Sequence, residues 1–330
     1  MMIQATCDHA LARTNGTTKT GQTRYRCKLC GKSWTESTAT LGNMRIGLDM
    51  AARIVELLCE GMSLRSTSRI TQAAPNTILD LLLYLGERCE AYAAENIRNV
   101  FVGDTQVDEI WQYVFCKKAT AKRRQYVGGC GDSYCFTAID RTTKLLVTWH
   151  MGQRTEADCR QFVHKLDAAT SGHFHISTDA WRSYPSTIRR LLGHRVDHGV
   201  MTKIYGRPIE YPQRQYSPPR IIGAARTPMH GDVYQHDRIC TSHVERMNGT
   251  IRTWCKRMAR LTYCFSKRWN NHRAALALLF IHYNYCRKHR TLKGLTPAMA
   301  HGLATEVWSA KRLIEAVCRG YDAHLMTHHL

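Results

Sequence analysis

The sequence predicts an α/β fold with a mixed sheet, preceded by two small amino-terminal units. Residues 1–42 contain paired cysteines, and residues 45–95 then show helical periodicity. Strand periodicity begins near residue 97 and gives way to alternating helix and strand patterns. With 330 residues, the chain is long enough for two or three domains and a large core.

The charge of the chain favours a polyanionic partner. There are 47 Lys and Arg against 26 Asp and Glu, for a formal net charge of +21. Nucleic acid is the commonest partner of such a protein. The alternative is a soluble protein with many surface lysines, but residues 246–305 contain twelve Lys or Arg and no acid. A merely solvated face mixes both signs, so this segment is predicted to contact DNA.

The cysteines indicate a reducing compartment. Of the 14 cysteines, eleven are scattered from Cys59 to Cys318, often within apolar runs, which is unlike the disulfide framework of a secreted protein. There is no signal-peptide pattern, and the longest apolar run, residues 274–281, is too short to span a membrane. The sequence therefore predicts a cytoplasmic protein with no membrane partner.

Residues 1–42 are predicted to form a zinc-finger module. Cys27 and Cys30 are three positions apart, so their thiolates can bind one tetrahedral ion, and the glycine that follows permits a tight turn. The other half-site must lie upstream, where Cys7 and His9 are available. We predict one Zn²⁺ held by these four residues. The alternative is a metal-free tail with reactive cysteines.

Residues 43–96 are predicted to form a helix-turn-helix DNA-binding domain. A short helix capped by Ser63 precedes a longer helix that has Pro75 in its first turn. The predicted DNA-contacting side chains lie on these two helices: Arg65, Arg69, Asn76 and Thr77. The alternative is an ordinary three-helix packing unit, because acidic residues outnumber basic ones in this segment.

Three separated carboxylates are the candidate catalytic residues. Asp108 lies inside a long strand pattern, Asp179 lies at the carboxyl end of a later strand, and Glu245 begins a basic helix pattern. Converging from two strands and a helix, they could hold two Mg²⁺ (or Mn²⁺) ions for phosphodiester chemistry. Glu245 has an alternative role, because Ser242 and Glu245 satisfy the S-x-x-E capping box. Asp104 is the rival for the first position.

Two cations follow Glu245 on the same predicted helix face. Arg252 lies seven residues further along, which is two turns, and Lys256 continues the face. We predict that Arg252 and Lys256 hold the DNA backbone beside the metal site.

The order of the predicted elements after residue 97 is that of the ribonuclease-H-like fold. Three antiparallel strands are followed by a helix, a parallel strand and further helices. That fold places one carboxylate on the first strand and a second just after the fourth, as for Asp108 and Asp179. We assign residues 97–300 to this catalytic domain and residues 301–330 to a helical tail.

An irregular insertion is predicted around residues 200–240. Five of the eight prolines lie between Pro208 and Pro228, where they disfavour regular structure beyond a short edge strand. A connection of this length in a compact domain is usually functional, so a DNA-contacting arm is one interpretation and a packed insertion is the other.

The segments around the three carboxylates resemble the three blocks of DDE transposases, and most of all those of the insertion-sequence-one family of bacteria and archaea. The blocks are Val107–Trp111, Thr178–Asp179 and Ser242–Asn248. Further segments resemble the zinc finger and the carboxyl-terminal half of that family: Cys27–Trp34, Tyr283–Arg290 and Thr296–Ala300. The Cys7-x-His9 half-site departs from the family, which has two cysteines two residues apart there.

The resemblance implies a polynucleotidyl transferase that binds terminal inverted repeats of an insertion sequence, cuts DNA and joins 3′ ends to target DNA. It implies double-stranded DNA as partner and a homo-oligomer, at least a dimer, because two ends are processed together. A ribonuclease-H-like nuclease or resolvase is one alternative, although it needs neither amino-terminal unit. A transposon-derived DNA-binding regulator is the other, although it would not need all three carboxylates.

Overall fold

The computed structural model describes residues 11–17, 23–35, 40–42, 44–126, 128–206, 220–233, 236–259 and 262–327. Its strands are β1 (Ala12–Thr17), β2 (Thr23–Cys27), β3 (Ser33–Thr35), β4 (Val100–Phe101), β5 (Asp104–Val114), β6 (Gly131–Asp140), β7 (Leu146–Gly152), β8 (Thr170–Ser171), β9 (Phe174–Asp179), β10 (Val196–Tyr205) and β11 (Ile221–His230). Its helices are α1 (Leu48–Cys59), α2 (Leu64–Thr71), α3 (Pro75–Asn96), α4 (Lys118–Arg123), α5 (Glu156–Ala169), α6 (Ser183–Leu192), α7 (Ser242–Trp254), α8 (Trp269–Tyr285), α9 (Pro297–Ala300) and α10 (Ala310–Thr327).

A mixed six-stranded sheet organises the described part of the chain, in the order β11-β10-β9-β5-β6-β7. Strands β5, β6 and β7 are antiparallel, whereas β9 and β10 run parallel to β5. This is the strand order of a ribonuclease-H-like fold with β11 added at one edge, so the predicted fold class is confirmed for this part of the chain.

Both faces of the sheet are buried. Successive side chains of a strand point to opposite faces, and apolar side chains on each face pack into a separate core. On β6, Phe136 packs with α5 and α6 in one core, whereas its neighbour Cys135 belongs to a second core with α8. That second core also contains residues of α1, α3, α7 and α10. No helix in the described ranges is both long and apolar enough to cross a membrane.

The prediction of irregular structure around residues 200–240 is wrong for residues 200–205 and 221–230. Strand β11 pairs antiparallel with residues 198–205 of β10, and Pro228 lies opposite Gly199. Proline is tolerated because β11 is an edge strand, whose outward N–H groups need no partner in the sheet. Beyond Met201, which pairs with the last residue of β9, the two strands continue as a ribbon.

Helices α2 and α3 begin where the sequence indicates. The hydroxyl of Ser63 accepts the N–H of Ser66 at 3.0 Å, and Pro75 opens α3. The amino-terminal helices do not stand apart from the sheet. Ile54 of α1 and Leu85 of α3 are fully buried in the same core as Leu278 of α8.

Helix α3 crosses α8 at unusually close range. A Cβ atom added to Gly86 would lie 2.4 Å from the Cβ of Ala274 and 2.5 Å from its Cα, far inside contact distance. Glycine is therefore required at this crossing because there is no room for a side chain. Its backbone is ordinary helix, so no special torsion angle is involved.

Replacing Gly86 by alanine is expected to destabilise the fold by about 1–3 kcal/mol, because overpacking outweighs the gain in helix propensity. Gly249 on α7 is a matched control, since nothing lies within 4 Å of its added Cβ. Gly249→Ala is expected to stabilise by roughly 0.5–1 kcal/mol. Thermal melting of both variants checks the contrast, and a Gly86→Ala protein as stable as the wild type would contradict it.

Candidate active site

Strands β5 and β9 bring two of the predicted carboxylates side by side. They are neighbouring parallel strands, and Gln106 of β5 pairs with Ser177 of β9. Continuing that register by two residues places Asp108 level with Asp179, the last residue of its strand. Both side chains line one cleft of about 620 Å³.

Glu245 enters the same cleft from the first turn of α7. The side chain of Gln106 docks this helix onto β5: its Oε1 accepts the N–H of His243 at 2.8 Å and that of Val244 at 3.2 Å. The structure therefore brings the three predicted catalytic residues, Asp108, Asp179 and Glu245, into one cleft.

The capping-box interpretation of Glu245 is wrong. Helix α7 has Thr241 as its N-cap, no capping side-chain hydrogen bond is formed there, and Gln106 satisfies the first amides instead. The carboxylate of Glu245 contacts side chains and not the helix amides. Its Oε1 accepts the hydroxyl of Thr241 at 2.5 Å, and its Oε2 lies 2.5 Å from Nζ of Lys203 on β10.

The rival Asp104 has a structural role. It is buried, and its Oδ2 lies 3.1 Å from Nη1 of Arg141 and 3.9 Å from Nε of Arg238. It does not line the cleft that contains Asp108. These contacts favour Asp108 as the carboxylate of the first strand.

A fourth carboxylate, Glu109, lies beside the predicted three. Oxygens of Asp108, Glu109 and Asp179 lie within 4.8 Å of one another, so this trio forms the tightest acidic group in the described ranges, and Glu245 is outside it. The Glu109 side chain is only 3% exposed. Its Oε2 accepts the hydroxyl of Tyr184 at 2.8 Å, and its Oε1 pairs with Nε of Arg154.

The crowding of these acids shifts the titration of Asp108. Burial, followed by the charges of Glu109 and Asp179, raises the pKa of the Asp108 carboxyl to about 7. Burial and the Asp179 charge likewise raise the pKa of Glu109. Two hydrogen bonds fix the Asp108 side chain: Oδ1 accepts the N–H of Glu109 and Oδ2 accepts Nδ2 of Asn248, both at 2.8 Å.

The predicted DNA-binding residues lie in different surroundings. Arg65 and Lys256 are exposed and line a second cleft of about 470 Å³, between the amino-terminal helices and the end of α7. Arg252, in contrast, donates from Nη1 to the carbonyl of Met258 at 3.1 Å. The others lie on α2 and α3, with Arg69 and Asn76 exposed and Thr77 half-buried.

The predicted zinc ligands are partly described. Cys27 ends β2 and is buried, and Cys30 lies exposed in the turn that follows, where Gly31 adopts a φ of +73° as the sequence indicates. The stacked rings of Tyr25 and Trp34 hold β2 and β3 together. Cys7 and His9 lie outside the described residues.

Comparisons with known proteins give one family match and a solved structure of low similarity. The sequence pattern of the integrase core domain matches residues 240–297, which contain Glu245 and helix α8. One solved structure similar to the chain is the cryo-EM structure of the piggyBac transposase synaptic complex with hairpin DNA. That likeness has a TM-score of 0.36 and 11% identity, and covers 88% of this chain and 74% of that chain. No curated protein sequence matches the chain. Residues 240–297 thus match the sequence pattern of an integrase core domain. Their helices α7 and α8 pack against the six-stranded sheet, whose strand order is that of a ribonuclease-H-like fold.

Proposed function

We propose that this protein is a DNA transposase of the DDE type that cuts the ends of an insertion sequence and joins them to target DNA. The observation that carries the proposal is the convergence of Asp108, Asp179 and Glu245 in one cleft. The integrase core pattern over residues 240–297 supports it independently.

The donor set of the cleft fits divalent metal ions. Carboxylate oxygens are the ligands that Mg²⁺ and Mn²⁺ prefer, and several acids held this close need cations to offset their repulsion. Asp108, Asp179 and Glu245 would hold the metal. When bound, two such ions would activate the attacking oxygen and stabilise the leaving oxygen of a phosphodiester.

The surrounding residues hold the three carboxylates in place. Asn248 fixes Asp108, the N–H of Trp181 donates to Asp179 Oδ1 at 3.0 Å, and the Thr241 hydroxyl donates to Glu245. Such positioning is the main contribution a protein makes to phosphoryl transfer, which needs little covalent help from side chains.

A strand-transfer assay tests the proposed function. The full-length protein would be mixed with DNA carrying the ends of its own element and a target plasmid, with and without Mg²⁺. We expect metal-dependent cleavage followed by joining of 3′ ends. Cleavage without joining would favour the nuclease or resolvase alternative, and end binding without cleavage would favour the regulator.

Metal binding is expected to release a proton from Asp108. Its pKa of about 7 keeps the carboxyl mostly protonated below that pH, whereas a metal ligand must be ionised. Mn²⁺ affinity should therefore rise between about pH 6 and 7 and level off above about pH 8. Calorimetric titration at several pH values, in buffers of different ionisation enthalpy, measures both quantities. An affinity that does not change over this range would contradict the assignment.

We further propose that the amino-terminal sheet binds one Zn²⁺ through Cys7, His9, Cys27 and Cys30. Metal analysis of the full-length protein should give about one equivalent of zinc, since a structural site is closed by four ligands. Cys27→Ser should remove it. Cys240→Ser, at a half-buried cysteine near α7, is the matched control and should leave zinc in place. Zinc that survives Cys27→Ser would reject the site.

We propose that the protein assembles as at least a dimer. We also assign recognition of the terminal inverted repeats to α2 and α3. The short turn between these helices and the exposed Arg65, Arg69 and Asn76 support this assignment. Gel shifts with repeat and scrambled duplexes, using Asn76→Ala, test it: equal preference for the repeat in wild type and variant would argue against recognition through α3.

A further inference from the structure

Two cations lie among the acids of the cleft, and neither belongs to the predicted ligand set. Arg154 comes from the turn between β7 and α5, and Lys203 comes from the ribbon part of β10. Their side chains are 39% and 29% exposed, so both groups have access to solvent and to other partners.

Arg154 bridges two of the carboxylates. Its Nε pairs with Oε1 of Glu109, and its Nη2 lies 3.6 Å from Oδ2 of Asp179. The guanidinium also lies 5.1 Å from the ring centroid of Trp181, which supports one of its faces. Since Tyr184 fixes the other oxygen of Glu109, the arginine has a firm anchor on Glu109 and a longer, weaker contact with Asp179.

Lys203 makes the corresponding contact with the third predicted ligand. Its Nζ lies 2.5 Å from Oε2 of Glu245, while Thr241 holds Oε1. Asp179 and Glu245 thus each have one carboxylate oxygen in contact with a cation. Asp108, at the centre, contacts no cation in the described structure and is held by Asn248 instead.

Charge balance explains why the cations are there. Asp108, Asp179 and Glu245 line the cleft and Glu109 lies beside them, so their negative charges repel one another where water is partly excluded, which raises the free energy of the metal-free protein. Two cationic side chains offset this repulsion in the metal-free protein. A divalent ion supplies the same charge from a single point, and it forms shorter contacts with carboxylate oxygens.

We propose that Arg154 and Lys203 are placeholder cations: in metal-free protein they hold Asp179 and Glu245 near their metal-binding positions, and they release these carboxylates when a divalent ion binds. Glu109 is then the anchor of Arg154 and is not a metal ligand. The inference rests on the proposed metal-dependent function. It implies that both cations compete with the metal ion for the carboxylates.

Competition predicts that removing a placeholder strengthens metal binding. When a cation occupies a carboxylate most of the time, the metal can bind only during the remaining fraction. The apparent affinity for the metal is then the intrinsic affinity multiplied by that fraction. Arg154→Gln and Lys203→Gln should each lower the Kd for Mn²⁺ by roughly tenfold. The same variants should melt at lower temperature than the wild type in EDTA and gain more on addition of Mn²⁺.

Calorimetric titration of the full-length protein with Mn²⁺ alone, beside thermal melting, tests this. Arg160→Gln is the matched control for arginine, because Arg160 pairs with Glu156 on the surface of α5, away from the cleft. Lys311→Gln is the control for lysine, because Lys311 pairs with Asp49. Both should titrate like the wild type. Glu109→Gln should still bind Mn²⁺, whereas Asp179→Asn should not.

The outcomes separate this inference from the proposed function. Unchanged or weaker Mn²⁺ binding in Arg154→Gln and Lys203→Gln, with normal binding in the wild type, would overturn the placeholder role alone. Loss of binding in Glu109→Gln would make Glu109 a ligand and would also overturn it. Absence of Mn²⁺ binding in the wild type would overturn the metal site and the inference together. If Arg154→Gln does not fold, Arg154→Lys keeps the charge and should bind Mn²⁺ with an affinity close to that of the wild type, and a large gain there would contradict competition.

Discussion

Asp108→Asn, Asp179→Asn and Glu245→Gln are each expected to lower DNA cleavage and strand transfer by roughly 10³-fold or more, because each removes a charged ligand from a unit that works only when complete. The three losses should be strongly non-additive, since one missing ligand already disables the site. DNA binding should survive in all three, because the cations assigned to it lie elsewhere. Cleavage and joining assays in Mg²⁺, beside gel shifts, measure both effects.

Glu245→Gln is the most discriminating of these variants. Glutamine keeps an oxygen that can accept from Thr241, and α7 is held by Gln106, so the fold should melt nearly as the wild type does. The matched control is Asp104→Asn, which removes a charge from the same strand as Asp108 but outside the cleft. It should cost stability through Arg141 and retain activity. A folded Glu245→Gln protein that still transfers strands would end the three-carboxylate hypothesis.

DNA affinity is expected to fall by about 10³–10⁵ between roughly 50 and 200 mM salt, the loss typical of proteins that neutralise six to ten phosphates. Residues 246–305 contain twelve Lys or Arg and no acid, which supplies enough cations for that many contacts. Fluorescence anisotropy with a labelled duplex at several salt concentrations gives the slope of affinity against salt. A shallow slope would mean that few phosphates are contacted.

Two cations of α7 and its end give an internal comparison for this prediction. Lys256→Gln should reduce the salt slope by about one, because Lys256 is exposed beside Arg65 in the second cleft. Arg252→Gln should mainly lower the melting temperature, because its guanidinium donates to the Met258 carbonyl. If Arg252→Gln changes the slope as much as Lys256→Gln does, Arg252 contacts DNA as the sequence suggests.

The sequence predicts the strands of the sheet, and three acids that the structure places in one cleft, because these signals are local. Strand alternation, the Ser63 cap and Pro75 each depend on neighbouring residues, and the structure has the elements they indicate. The acid at the end of a strand is also a local signal, which is why Asp179 was recognisable. Pairing partners distant in the chain carry no such signal. The pair of Lys203 and Glu245 therefore appears only in the structure.

The remaining differences have specific physical causes. Glu109 follows Asp108 in a strand, where successive side chains point to opposite faces, so its approach to Asp179 is not expected from periodicity. The S-x-x-E pattern predicted a capping box, but Gln106 reaches the helix amides from another element. Proline argued against a strand at residues 221–230, and its position on an edge removes that objection.

The close crossing of α3 and α8 also constrains how the chain can be made. Gly86 and Ala274 are separated by about 190 residues, which at ribosomal rates of about 5–20 residues per second is a delay of about 10–40 s. During synthesis the side of α3 that packs against α8 has no partner until α8 leaves the ribosome, and α10 emerges later still. An amino-terminal fragment ending near residue 96 would leave that side of α3 exposed to solvent. The nascent protein is therefore expected to need a chaperone, or to aggregate, until the carboxyl-terminal helices leave the ribosome.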